Sequence, residues 1–260
     1  MKLTKPSSSQ LLLYSFFTAA IISIIAYNII SWNFNKDLNL GVEIIEFVIS
    51  VIVILQLLLM LRSHVQFSSL ILIFVQAFAC FALGELFWIL HIYIKQFEPV
   101  GSFSISDLSW IGFYAFILTA YRDIFNKQPA KKIQKNTITI LFTIPVLFTI
   151  VAGFTLLYFT GDDIIYTIIY LAPCLMIAYY SVKHLMTSKD YKLVHINILL
   201  LIYADLLSSI AINFDFEIVY LLKLVFGLLL LCITPALLLS MQKTLDKQES
   251  VAKEEEMVEV

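Results

Sequence analysis

The sequence predicts an all-α, polytopic membrane protein of eight transmembrane helices, and three observations carry that prediction. Of the 260 residues, 60% are hydrophobic and only 14% charged, whereas soluble domains carry about 25% charged residues. Apolar stretches of about 18 to 25 residues recur along the chain, the length a helix needs to cross a hydrocarbon layer of about 30 Å. Basic residues cluster in alternate gaps between those stretches, as the positive-inside rule requires. A closed barrel is excluded, because its strands alternate apolar and polar residues and these runs are unbroken.

Taken in order, the expected spans are residues 11–32, 41–61, 67–93, 103–121, 137–160, 164–185, 193–213 and 218–241. The first, at about 22 residues, exceeds the 7 to 15 of a signal-peptide core, and no small-x-small cleavage site follows it, so it is expected to remain as a span. Lys2 and Lys5 precede the first span, and Arg62 lies between the second and third. Arg122, Lys127, Lys131, Lys132 and Lys135 follow the fourth. Lys183, Lys189 and Lys192 follow the sixth, and Lys243, Lys247 and Lys253 the eighth. Of the 17 basic residues, 14 fall on this side, two (Lys36 and Lys95) on the other, and Lys223 inside a span. The expected location is therefore the cell membrane, multi-pass, with both termini cytoplasmic.

The chain is expected to divide into a first four-helix half (1–121), a basic cytoplasmic loop (122–136), a second half (137–241) and an acidic cytoplasmic tail (242–260). Four spans per half give the halves one orientation, the parallel kind of repeat. "LGELFWIL" followed by "SDLSWIGFYAFILTAY" is echoed by "YADLLSSI" followed by "VYLLKLVFGLLLLCI". Glu85 and Asp205 thus stand at matching places, late in the third helix of each half. The tail is read as solvated, with no output domain attached.

Charges inside spans cost about 2.5 to 3.5 kcal/mol each on insertion scales and so mark candidate sites. Glu46, Glu85, Asp205 and Lys223 all fall about 8 to 12 Å below the outer surface at 1.5 Å per residue, with Asp107 just above them. Glu43, Glu46 and Ser50 share one stripe; Asp205, Ser208 and Ser209 share another; Lys223, Gly227 and Thr234 a third. Together they predict an outward-facing polar cavity whose ligand-binding residues are Glu46, Glu85, Asp107, Asp205 and Lys223. Lys223 is expected to pair with Asp205 or Glu85; snorkelling to the interface is the alternative.

Other residues point to packing. Cys80, Cys174 and Cys232 lie within spans, an odd set that reads as reduced packing residues, and no metal-ligand spacing such as CxxC or HExxH occurs. No cofactor and no metal are expected. Trp32, Trp88 and Trp110 read as an aromatic belt. His64, His184 and His195 lie near cytoplasmic ends and are expected at the interface. Pro145, Pro173 and Pro235 are expected kinks.

Gly84, Glu85, Asp107, Trp110, Gly112 and Tyr114, then Ala204, Asp205 and Gly227, form a pattern of an acid late in one helix followed by an aromatic and glycine opening the next. It resembles the membrane-embedded sensor regions at the N-termini of bacterial and archaeal diguanylate cyclases and histidine kinases. Glu85 stands where aspartate is more usual there, and Lys223 where an aromatic would fall. The resemblance implies a membrane sensor or accessory module that binds a small or lipidic ligand and signals to a separate partner protein. Besides that partner the expected surroundings are the lipid bilayer, with no nucleic acid.

Two other classes fit the composition. An intramembrane lipid hydrolase of the lysoplasmalogenase-like kind could use buried carboxylates as a general base, although the sequence shows no Ser/His pairing at a common depth. A small transporter would suit parallel repeats around a polar site. Whether the chain is an enzyme is left open by its residues.

Overall fold

The computed structural model describes residues 38–95, 104–127, 164–187 and 191–212, positions scattered between 143 and 154, and residues 233, 236–248 and 250. The chain is all-α: the described elements are α1 (Leu38–Ser63), α2 (Ser68–Lys95), α3 (Ile105–Asp123), α4 (Ile164–Thr187) and α5 (Lys192–Ile212). Short 3-10 turns cover Val65–Phe67 and Phe125–Lys127, and residues 236–248 are also helical. Among the described residues, three segments are long and apolar enough to cross a membrane: Glu46–Ser63, Val65–His91 and Ile168–Thr187. The expected span of 11–32, most of 137–160, and the first part of 218–241 lie outside the described residues.

Helical periodicity decides which face each helix buries. On α1, Glu46, Ser50, Val53, Leu57, Met60 and then His64 are buried at spacings of three or four, while Ile44, Val48, Leu55, Leu58 and Leu59 are exposed. On α4, Tyr170, Cys174, Ile177, Ser181 and His184 form the buried stripe, and Ile168, Met176 and Tyr179 face outward. On α5, His195, Ile198 and Ile202 continue a stripe begun by Tyr191, with Leu193, Ile196 and Leu200 outside. These stripes follow from 3.6 residues per turn. Aliphatic side chains point outward, and the inward stripes mix apolar residues with serine, glutamate, glutamine and histidine. That distribution suits lipid surroundings, where apolar packing drives no association and polar side chains hold helices together.

Helices neighbouring in sequence pack on one another, α1 on α2, α2 on α3, and α4 on α5, and α3 also packs on α4. The α1–α2 turn is tight: the His64 amide donates to the Met60 carbonyl at 2.9 Å and the Phe67 amide to the His64 carbonyl at 3.0 Å. Between α3 and α4 the pairing runs parallel, because Tyr114 meets Tyr170 at 3.2 Å and, further along both helices, Tyr121 meets Ser181 at 2.7 Å. The helical stretch 236–248 runs antiparallel to α5. Asn197 Nδ2 donates to Ser240 Oγ at 3.3 Å and the Tyr191 hydroxyl to Gln248 Oε1 at 2.8 Å. It also reaches the α1–α2 turn, where Asp246 lies 3.4 Å from His64 Nε2.

Those contacts differ from the solvated tail expected from residue 242 onward. Helix continues through residue 248, with Thr244 buried and Leu245 wholly inside the core. Leu237, Met241 and Leu245 repeat every four residues, so one apolar stripe carries the helix past the end of the hydrophobic run. The basic loop also begins inside the fold, for Phe125 is fully buried. Cys80 and Cys174 are free thiols. Pro173 lies within α4, where its ring removes one backbone hydrogen bond to the carbonyl four residues earlier. Pro145, Pro235 and Cys232 lie outside the described residues.

Candidate functional site

Two polar clusters occupy opposite ends of the bundle. At the far end from the α1–α2 turn are the carboxylates. Glu46 stands 17 residues (63 − 46) before the end of α1, and Glu85 stands 17 residues (85 − 68) after the start of α2. At about 1.5 Å per residue both lie about 25 Å from the turn. The two acids therefore share one level of an antiparallel helix pair, the relation their depths predict. Both are buried, Glu85 to 3% exposure.

Glu85 is oriented by its neighbour helix. The Trp110 indole Nε1–H donates to Glu85 Oε1 at 2.9 Å, a charge-assisted bond if the carboxylate is ionised. Glycine permits that approach: a Cβ built on Gly84 would meet Trp110 Nε1 at 2.5 Å and Cδ1 at 2.6 Å. Gly112 allows a second close contact, since a Cβ there would meet Cys80 Sγ at 3.1 Å. Phe113 fills the space below, edge-on to Phe78 and Phe81 at 5.7 and 5.4 Å between centroids. Trp88 lies 6.2 Å from Trp110 and stacks with His91 at 5.9 Å. Trp110 is thus more than a member of an interfacial belt; its indole positions a buried acid.

Asp107 has a local task. It sits at the third position of α3 and closes a capping box with Ser104: the Ser104 amide donates to Asp107 Oδ2 at 2.7 Å and the Asp107 amide to Ser104 Oγ at 3.2 Å. The S-x-x-D spacing before an apolar run is the sequence signal for it. Ser104→Ala is expected to cost about 1 kcal/mol. Adding Asp107→Ala should cost less than two independent changes, since both remove one motif. Additive losses in a thermal-melt series would show Asp107 acting elsewhere. Asp205 lies on α5, but its side chain falls outside the described residues, as do those of Glu43, Ser208 and Ser209. Lys223, Gly227 and Thr234, and with them the expected ion pair, also lie outside them.

At the turn end, three helices and the chain after α3 converge on a cluster that sequence reasoning missed. Tyr121, fully buried, shares its hydroxyl with Ser181 Oγ at 2.7 Å and His195 Nδ1 at 3.1 Å. Its ring stacks on His195 at 5.5 Å and Tyr180 at 5.8 Å. Phe125 meets His195 edge-on at 4.8 Å and Tyr191 at 5.4 Å. The two imidazoles, His184 and His195, lie 5.2 Å apart. Asn126 Oδ1 accepts from Lys183 Nζ at 3.2 Å, which fixes it as the oxygen, so His184 Nε2, 3.0 Å away, is the donor to it.

Expected at the interface, His64, His184 and His195 are instead buried, at 3%, 4% and 0% exposure. The reason is azimuth. Each falls on the inward stripe of its helix, so ring stacking and hydrogen bonds hold it inside even near a helix end. Ser181 and His195 also share a depth, bridged by Tyr121, a Ser/His relation the sequence did not reveal. The legible signal was the spacing Tyr170, Cys174, Ile177, Ser181, His184, which puts both polar residues on one face. Among the described residues no group of three or more His, Cys, Asp or Glu could hold a metal ion.

The chain matches no protein-family model, and neither a curated protein nor a solved structure matches it.

Proposed function

We propose that the chain is a multi-pass membrane module that takes a small or lipidic ligand into the polar interior beside α1, α2 and α3 and passes the response to a separate partner protein. One observation carries this reading: Glu85, almost wholly buried among apolar helices, is aimed by an indole through a glycine gap. An intramembrane carboxylate is costly, and apolar side chains would pack the same interface without it. Glu46 at the same level adds a second acid, and Asp205 and Lys223 belong to the same proposed cavity. Such a lining favours a ligand that offers hydrogen-bond donors or a positive charge.

The eight-span, two-repeat arrangement with both termini cytoplasmic is part of the proposal. Supporting it, α3 and α4 run parallel, as that arrangement requires of its fourth and sixth spans. Likewise α5 runs away from the turn end and 236–248 runs back to it. Reporter fusions should read cytoplasmic at Lys131 and external at Asp162; the same side at both would overturn the eight-span arrangement.

Binding is tested by mass spectrometry of small molecules and lipids that purify with the protein. Wild type should retain a species that Glu46→Gln and Glu85→Gln lose at equal yield and equal melting temperature. An identical bound complement in all three proteins would refute the cavity. The hydrolase reading has one observation of its own, the Ser181–Tyr121–His195 hydrogen bonds. Turnover of a lipid by the purified protein, abolished by Ser181→Ala in a folded variant, would replace the sensor reading with it.

A further inference from the structure

Protonation chemistry distinguishes the turn-end cluster from the carboxylates. His195 is completely buried, its Nδ1 is committed to Tyr121, and its Nε2 has no hydrogen-bond partner among the described residues. The groups facing it are Tyr121 from α3, Phe125 from the turn after α3, His184 from α4, and Tyr191 just before α5. Behind them stand Ser181 on Tyr121, Asn126 with the Lys183 ammonium on His184, and Gln248 on Tyr191. Among the described residues neither imidazole has a carboxylate within ion-pair distance. His64 is the contrast, because Asp246 lies 3.4 Å from it.

A neutral His195 fits this site. Its Nδ1 accepts from Tyr121, whose oxygen accepts in turn from Ser181. An imidazolium does not fit. Its added proton sits on Nδ1, which then donates rather than accepts, so the Tyr121–Ser181 chain must reverse, and a positive charge is buried with no counter-ion among the described residues. His184 is limited in the same direction by the lysine next to it and by the second imidazole 5.2 Å away. Charging both would set two cations face to face without a counter-ion.

We propose that the His184–His195 pair is a proton-binding site that keeps this end of the bundle closed only while both rings are neutral. Taking up a proton, either ring loosens the cluster and frees the segments it holds: the turn after α3, the start of α5, and, through Tyr191, the 236–248 helix. The ligand is the proton itself, and the site is separate from the carboxylates, so it stands whether or not they bind a ligand.

The sign follows from linkage. The open form binds protons that the closed form does not, so closure weakens as pH falls through the ordinary histidine range near 6.5. Each histidine of this kind changes the opening equilibrium by about tenfold per pH unit in that window.

Hydrogen exchange by mass spectrometry on the protein in zwitterionic lipid nanodiscs, at pH 7.5 and 5.0 with intrinsic rates corrected, tests this. Protection of segments 121–127 and 191–196 should fall about tenfold or more at the lower pH, while 60–68 keeps its protection. His184→Gln with His195→Asn, which preserve the Nε2 and Nδ1 hydrogen bonds, should abolish that selective fall, and Glu85→Gln should retain it. If the double variant does not fold, each single variant should lose about half of the response on a logarithmic scale. Equal wild-type protection at both pH values, or an undiminished fall in the histidine variants, would overturn the proposal.

Discussion

Tyr121→Ala should destabilise the bundle more than Gly84→Ala or the loss of the α3 capping box, with the melting temperature in detergent as the readout. The ring is fully buried and touches Phe125, Tyr180, His184 and His195. Truncating a large buried aromatic costs about 3 to 5 kcal/mol from lost contacts and the cavity left behind. The substitution also strips a partner from Ser181 and from His195 Nδ1, and each buried polar group left unsatisfied costs about 1 to 3 kcal/mol. Tyr121→Phe separates the two contributions. It keeps the stacking and removes only the hydroxyl, so it should show the second cost without the first. If both variants melt together, the hydroxyl network outweighs the ring packing. If Tyr121→Ala melts with wild type, the cluster does not organise this end of the bundle.

Gly84→Ala is the second large effect, and it reaches the other end. A methyl group at 2.5 Å from the Trp110 indole nitrogen forces the ring away. Overpacking of this kind costs about 1 to 3 kcal/mol. Displacing the indole also breaks its bond to Glu85, and a hydrogen bond contributes about 0.5 to 1.5 kcal/mol, or about 1.5 to 3 with an ionised carboxylate. The comparison variant is Trp110→Leu, which already lacks both ring and bond. In that background Gly84→Ala should cost little, giving a coupling of about 0.5 to 3 kcal/mol between the two sites. Strictly additive losses would mean the glycine serves backbone flexibility rather than the approach of the indole.

The helices are legible in the sequence because apolar length and basic flanks mark them directly. Expected spans 41–61, 67–93, 103–121, 164–185 and 193–213 each differ by only a few residues from α1 to α5. Levels are legible too: counting residues from a turn puts Glu46 and Glu85 together, because helical rise is uniform. Rotation about the axis is what such counting omits. Nearness to a helix end suggests an interfacial His195, while its spacing from Tyr191 and Ile198 places it inward. Residue type and depth suggest a belt role for Trp110, although the glycine that admits it lies on another helix, 26 positions earlier. Such cross-helix fits depend on pairs of side chains, and no single stripe displays them. Leu245 escapes for a simpler reason: charged neighbours mask one apolar residue per turn.

The contact between His64 and Asp246 joins positions 182 residues apart, one after the first described helix and one in the last. A chain that enters the bilayer in order from its first helix has α1 and α2 paired long before residues 236–248 have left the ribosome. Among the described elements, 236–248 is the last to be made, and its contacts with α5 and the α1–α2 turn form only then. Until then the faces of α5 and the α1–α2 turn that this helix will cover are open to membrane chaperones and proteases, because incompletely assembled intermediates expose surfaces that the finished fold hides. Substitutions at Leu237, Met241 or Leu245, all buried, should therefore reduce the protein's abundance more than equally buried changes in the α1–α2 hairpin.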